Sequence, residues 1–303
     1  MQAPSADENE LLELAGVAAA AAAEELMKRW RGPLEVHTKS TPTDPVSAAD
    51  VAAERTIRAL LASERPEDSV LGEEGGATQG AASRYTWVVD PLDGTVNYLY
   101  GLPEFVVSIA VVDRDGGVAG VVRQPATGDV YTATRSGPAR LVRGGVCDSR
   151  GGGGRGDRPL GGADASVGAA DDGPETLSGS DCARLDRALI ATGFAYDAAV
   201  RRVQGRVVAE LLPQVRDIRR IGAAALDLCL LAAGRLDGYY ERSVKPWDIA
   251  AGVLICERAG LSVTTLAAGC DADTGVELPD GVLAAPTMLF DELGRTLAHA
   301  ERR

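Results

Sequence analysis

A chain of 303 residues with 45% hydrophobic side chains is long enough for one large domain or two intimate ones, and for a substantial core. Its 44 Asp and Glu against 31 Lys and Arg give a formal net charge of -13, which repels a phosphate backbone over most of the surface and argues against general nucleic-acid binding. Any phosphorylated ligand therefore needs a local site, with cations to help hold it.

The five cysteines, Cys147, Cys182, Cys229, Cys256 and Cys270, are odd in number, widely spaced and without a CxxC pair. They indicate neither a disulfide framework nor a zinc site, and fit a reducing cytoplasm. Residues 8–30 are strong helix formers, stopped by Arg31-Gly32-Pro33. Glu13, Glu24 and Glu25 interrupt this Ala-rich stretch and no basic segment precedes it, so it reads as a soluble helix rather than a signal peptide. "HTKSTPTDPVSAAD" (37–50) is too rich in Pro and Thr for helix and is expected to be a loop or short hairpin. A second helix is expected from about Ser47 to Ser63, with Ser47 and Asp50 in capping-box relation and Pro66 just beyond. In "SVLGEEGG" (69–76), Glu73 and Glu74 follow a short apolar run; alone, such a pair reads as a solvated turn.

From residue 85 the hydrophobic period changes. "YTWVVD" is a β-branched run typical of a buried strand, and residues 105–137 hold several such runs parted by Asp-Gly and Thr-Gly turns, an antiparallel meander. Residues 144–183 are rich in Gly, Asp and Ser with almost no large apolar side chains, and are expected to form a mobile surface insertion. Beyond it, "LDRALIATGF" reads as strand, "AAVRRVQGRVVAELLPQV" as helix, and "DIRRIGAAALDLCLLAAGRLDGYYE" as a strand end, a helix and another strand. "WDIAAGVLICERAGLSVTTL" and "GVLAAP" continue the alternation, which implies a layered second half. The chain thus divides into an α+β part (1–143), the insertion (144–183) and an α/β part (184–303). No internal repeat is present.

The chemistry concentrates in "WVVDPLDGTVNYLYG" (87–101). If the strand ends at Asp90, then Asp90 and Asp93 emerge near its C-terminal edge, and the chain turns through Gly94 into a short helix starting about Thr95, whose free N–H groups favour an anion. From spacing alone, Asp93-Gly94 reads equally as a plain turn with Asp90 as a cap. Asp248 stands where a long amphipathic helix begins, so N-capping is its plain reading. Should the fold gather these acidic turns, they would suit hard divalent cations such as Mg²⁺, pairs of which assist in-line attack on phosphorus. Without metal, so many clustered carboxylates cannot all stay ionised.

In this order, "LGEE", "WVVDPLDGTVNY" and "KPWDIAAGVLICERAG" closely resemble the motifs of the inositol monophosphatase family of Mg²⁺-dependent, lithium-sensitive phosphatases. The resemblance covers nearly the whole chain apart from its extreme ends and the Gly-rich insertion. It implies an α+β fold, a layered αβαβα sandwich of the inositol monophosphatase and fructose-1,6-bisphosphatase type, assembled as a homodimer in the cytoplasm. Carried over position by position, it implies Glu73, Asp90 and the Leu92 carbonyl as ligands of a first metal, and Asp90, Asp93 and Asp248 as ligands of a second. Glu73 would help hold a third, weaker ion, making two to three Mg²⁺ in all.

By the same resemblance Thr95 and Glu73 activate the attacking water, and the amides of Gly94 and Thr95 cradle phosphate. Glu241 would bind substrate hydroxyls, with Gly222, Ala223 and Ala224 forming the opposite wall. Lys39 and Asp50 would support the metal loop; their plain readings are a surface lysine and a helix cap. Ala223 departs from the Ser or Thr of many members, which removes a hydroxyl beside the sugar pocket. The implied substrate is a small phosphorylated polyol, myo-inositol 1-phosphate or a similar monoester. Histidinol phosphate, fructose 1,6-bisphosphate and 3'-phosphoadenosine nucleotides are the alternatives within the superfamily. A haloacid-dehalogenase reading of "DGT" is discounted, because two residues, not one, separate the aspartates and they lie mid-chain. A regulatory binding protein on the same fold is the alternative of another class.

Overall fold

Ser5 and Glu8 form a reciprocal capping box, so helix α1 (Ala6–Arg29) starts ahead of the expected point and runs to Trp30. The computed structural model describes residues 4–32, 36–38, 45–80, 84–144 and 173–302. The expected hairpin is present as β1 (Val36–Thr38) paired antiparallel with β2 (Pro45–Ser47), and helix α2 (Ala48–Glu64) follows directly. Lys39 lies outside the described residues.

Next come β3 (Ser69–Gly72), β4 (Gly76–Thr78), β5 (Thr86–Asp93), the short helix α3 (Thr95–Leu99), β6 (Val106–Asp113), β7 (Gly116–Arg123), β8 (Val130–Thr134) and β9 (Arg140–Val142). With β10 (Glu175–Thr176) these form an eight-stranded sheet, in which β5 to β10 pair antiparallel in sequence order and β3 lies parallel to β5. The meander is therefore as expected. Strand β5 does not stop at Asp90. It continues to Asp93 through a register shift opposite β6, where Pro91 has no N–H to give the ladder. Residues 145–172 of the expected insertion lie outside the described residues, whereas residues 173–183 pack on the protein, with β10 on the sheet edge and Leu177 in the core.

The second half supplies β11 (Leu189–Thr192), α4 (Ala198–Leu211), β12 (Asp217–Arg219), α5 (Ala224–Ala232), β13 (Gly238–Arg242), α6 (Pro246–Arg258), β14 (Ser262–Leu266), the small pair β15 (Gly269–Cys270) and β16 (Glu277–Leu278), β17 (Gly281–Ala285) and α7 (Thr287–Ala300). Its five-stranded sheet has the order β12-β11-β13-β17-β14.

Side-chain alternation along each strand divides the interior into layers. Trp87 and Val89 of β5 face α1 and α2, while Val88 faces α5 and α6. Tyr239 of β13 joins that same middle core, and its neighbour Tyr240 packs against Leu289, Leu293 and Leu297 of α7. The layers thus run helix, sheet, helix, sheet, helix, the sandwich expected from the resemblance. Among the described residues no helix is long and apolar enough to cross a membrane. The apolar face of α1, with Ala15, Ala18, Ala19, Ala22 and Ala23 buried, belongs to the core it shares with the first sheet.

Those alanines set a close approach of helix to sheet. An Ala19→Leu substitution inserts extra methylenes into a site with no exposed surface. It is expected to cost about 1–3 kcal/mol, lowering the thermal midpoint by about 2–6 °C. An unchanged midpoint in a denaturation scan would contradict that packing.

Candidate active site

Strand pairing does what local pattern could not. Because β3 runs parallel to β5 with Gly72 opposite Val89, the next residues come side by side, Glu73 just past the end of β3 and Asp90 still within β5. The Glu73 N–H donates to the Val89 carbonyl at 3.2 Å, continuing the ladder one step beyond β3. The turn is held from below by Glu54, a buried carboxylate of α2 that accepts from the N–H groups of Glu74 (2.7 Å) and Gly75 (2.9 Å) and pairs with Arg58 Nε at 2.6 Å. Gly72 must lack a side chain, since a Cβ there would lie 2.3 Å from Glu54 Oε1. In the sequence Glu54 and Arg58 look like any exposed i,i+4 pair.

Downstream of Asp93 the chain reverses at Gly94, whose φ of 92° favours glycine and where a Cβ would sit 2.8 Å from the Glu104 carbonyl oxygen. The hydroxyl of Thr95, buried in the following turn, is 3.1 Å from both Asp50 Oδ1 and the Leu92 carbonyl oxygen. Asp50 is 1% exposed, so this carboxylate inside α2 is committed to the site from beneath. Asn97, a contact the sequence did not flag, donates to the carbonyls of Glu104 (2.6 Å) and Ile221 (2.9 Å), tying this turn to the second half.

From the second half, α5 directs its first turn at Asp93. The Ala225 N–H donates to Asp93 Oδ2 at 2.7 Å, where the helix terminus favours negative charge. Asp248 is the third residue of α6 and not its N-cap, which is Lys245; its carboxylate reaches back to accept from the Lys245 N–H at 2.7 Å while also lining the cavity. Glu241 at the end of β13 accepts from the Tyr239 hydroxyl at 2.8 Å and lies flat against Gly193, where a Cβ would be 2.0 Å from its Cδ.

These groups line one cavity of about 600 Å³, which takes Glu73, Asp90, Leu92, Asp93, Gly94 and Thr95 from the first sheet and Gly222, Ala224, Glu241 and Asp248 from the second half. Ala223 is placed differently from the expectation. It is buried with its Cβ toward Gly94 and is not among the cavity-lining residues, so its missing hydroxyl leaves no gap in the wall. The sequence also gave no notice of Arg220, Lys245, Phe194 and Tyr196, which are among the other lining residues.

Burial, followed by repulsion from Glu73, Asp93 and Asp248, pushes Asp90 well above the usual carboxylate range. Burial likewise raises Asp93 to about 7, against the stabilising N–H of Ala225, and raises Asp248 and Glu241. Among the described residues no three such side chains stand close enough together to hold an ion as placed. Asp90, Asp93 and Asp248 each turn an oxygen to a backbone N–H, at Leu92, Ala225 and Lys245.

The chain is thus a layered α+β protein with an acidic cavity where its two halves meet. Comparison with known proteins makes the class specific: the inositol monophosphatase family model matches residues 7–302, and the chain belongs to that family. It is 44% identical over 232 residues to the inositol-1-monophosphatase of Mycobacterium leprae, covering 75% of this chain and 70% of that one. It is also 34% identical over 290 residues to a Pasteurella multocida protein named Nus factor SuhB, covering 95% and 96% of the two chains. Among solved structures, the extragenic suppressor protein suhB of Bartonella henselae superposes with a TM-score of 0.76 at 31% identity, over 95% of this chain and 98% of that one.

Proposed function

We propose that this chain is a Mg²⁺-dependent phosphate monoester hydrolase acting on inositol 1-phosphate or a similar polyol phosphate. The observation that carries this reading is the gathering of Glu73, Asp90, Asp93 and Asp248, from three separate segments, around one cavity beside a Thr95 hydroxyl held by Asp50. The donor set fits a hard divalent ion, being all oxygen and densely anionic, with Asp90 and Asp93 raised by burial and mutual repulsion. Glu73, Asp90, the Leu92 carbonyl, Asp93 and Asp248 are the groups that would hold it. When bound, such ions neutralise charge on the phosphate and acidify water.

The chain's own residues supply positioning. Thr95, with its proton directed to Asp50 or to the Leu92 carbonyl, keeps oxygen lone pairs free to accept from the attacking water, and Glu73 lines the same cavity. The N–H groups of Gly94 and Thr95 are suited to the phosphate oxygens, and Glu241 to a hydroxyl of the polyol. Water adds in line as the ester oxygen departs. The products are inorganic phosphate and the free alcohol, which takes the proton the water gives up.

A phosphate-release screen over inositol, histidinol, fructose and adenosine phosphates, with Mg²⁺ or chelator and with or without Li⁺, tests the reading. Release that needs Mg²⁺ and falls with Li⁺ is expected. No release from any substrate would overturn it, and would favour the regulatory role suggested by relatives named Nus factor.

A second test uses stability. Because Asp90, Asp93 and Asp248 have folded-state pKa values above their unfolded ones, the metal-free folded chain holds more protons than the unfolded chain from about pH 4 upward. Their contribution is fully present below pH 4 and is lost as pH climbs through the folded values, about 7 for Asp93. Mg²⁺ at about 100 times its dissociation constant should restore about 2.7 kcal/mol, or about 5 °C of thermal midpoint, at pH 8. The gain should be smaller at pH 5, and an equal gain at both would count against these carboxylates as the binding set.

A further inference from the structure

Just beyond Glu241, after Arg242, the chain leaves β13 by an unusual route. Arg242 is locked: its guanidinium makes a bidentate pair with Glu301 (2.5 and 2.8 Å) and donates to the carbonyls of Ala267 (3.0 Å) and Pro279 (2.9 Å). The next residue, Ser243, has a φ of 75° and donates its N–H to the Asp280 carbonyl at 2.8 Å. Left-handed backbone is unfavourable for a residue with a Cβ and persists where surrounding contacts over-determine it, as they do here. Glycine would meet the same backbone requirement without that cost. The side chain therefore needs a reason of its own.

Its hydroxyl has no such reason among the described residues. Ser243 Oγ is shielded from solvent yet has no hydrogen-bond partner among them, an arrangement that folded chains avoid because the unmet group carries its full desolvation cost. The residue lines the catalytic cavity, two positions beyond Glu241 and five before Asp248. A serine hydroxyl both donates and accepts, and turns about a single χ1 to suit its partner.

We propose that Ser243 is a specificity-determining residue of the substrate pocket, its hydroxyl pairing with a polyol hydroxyl next to the one that Glu241 accepts. The pocket then recognises a pair of neighbouring hydroxyls, Glu241 as acceptor and Ser243 as donor or acceptor. This inference rests on the phosphatase reading and names a ligand contact within it.

The test compares myo-inositol 1-phosphate with p-nitrophenyl phosphate, which carries no hydroxyls, using the full chain with Mg²⁺. Ser243→Ala is expected to lower kcat/KM for the inositol ester by about 3- to 10-fold, mainly through KM, while leaving the aryl ester unchanged. Ser243→Gly should show the same selective loss with a thermal midpoint no lower than that of the unaltered chain, because glycine suits the left-handed backbone. If both variants keep the original ratio of kcat/KM between the two esters, the assignment of Ser243 is overturned. If the unaltered chain releases phosphate from neither ester, the phosphatase reading fails, and this inference with it.

Discussion

Asp93→Asn is expected to lower kcat/KM for Mg²⁺-dependent phosphate release by about 10³-fold while the protein stays folded. The change is nearly isosteric, and the amide oxygen of Asn can still accept from the Ala225 N–H that Asp93 engages at 2.7 Å. What disappears is one negative charge from a cluster that includes Glu73 and Glu241, whose repulsion helps raise Asp93 to about 7. The metal-free variant should therefore unfold at the same temperature or higher, whereas Mg²⁺ should stabilise it less than it does the unaltered chain. Asp248→Asn should behave alike, since its amide oxygen can keep the cap on the Lys245 N–H. Full activity in either variant, measured by phosphate release beside a denaturation scan, would sink the assignment of these carboxylates.

Thr95→Ala is expected to lower kcat by about 10²-fold with little change in KM, the loss typical of removing a group that positions or activates water. The Thr95 hydroxyl has two acceptors at 3.1 Å, Asp50 and the Leu92 carbonyl, so its hydrogen is committed and its oxygen is left to accept, as the proposed mechanism requires. Thr95→Ser retains that hydroxyl and should recover most of the rate. Asp50→Asn tests the same relay from behind and should reduce kcat by less, because the Leu92 carbonyl remains as an acceptor. A Thr95→Ala variant with unaltered kcat would remove Thr95 from the chemistry.

Much of this was legible because the informative signals are local. Apolar runs marked β5, β6 and β7, and the capped, propensity-rich segments marked α1 and α2 to within a few residues. The acidic motifs stood out through their spacing and the resemblance they carry. Helix α7 was not anticipated, although Leu289, Leu293 and Leu297 repeat at helical spacing, because no side chain caps it and Pro286 precedes it. What failed to show was non-local. The parallel register that seats Glu73 beside Asp90 is set across strands, and a local pattern does not encode it. Glu54 reads as solvent-facing until β3 and β4 close over it. Ala223 was expected in the pocket wall from the resemblance, yet the chain beyond Gly222, with its φ of 94°, leaves it packed against Gly94.

The layering has a consequence for how such a protein can diverge. Glu73, Asp90, Asp93 and Thr95 hang from the first sheet, while Glu241 and Ser243 hang from the second, where the Arg242–Glu301 clamp fixes their strand to the end of α7. On the proposed reading, substitutions confined to the end of β13 would retune which alcohol is accepted while Glu73, Asp90, Asp93 and Thr95 keep their places on the first half. Asp248 on α6 and the Ala225 N–H that holds Asp93 are where the two halves stay bound to one another, so drift in the second half is free only away from those two helix starts.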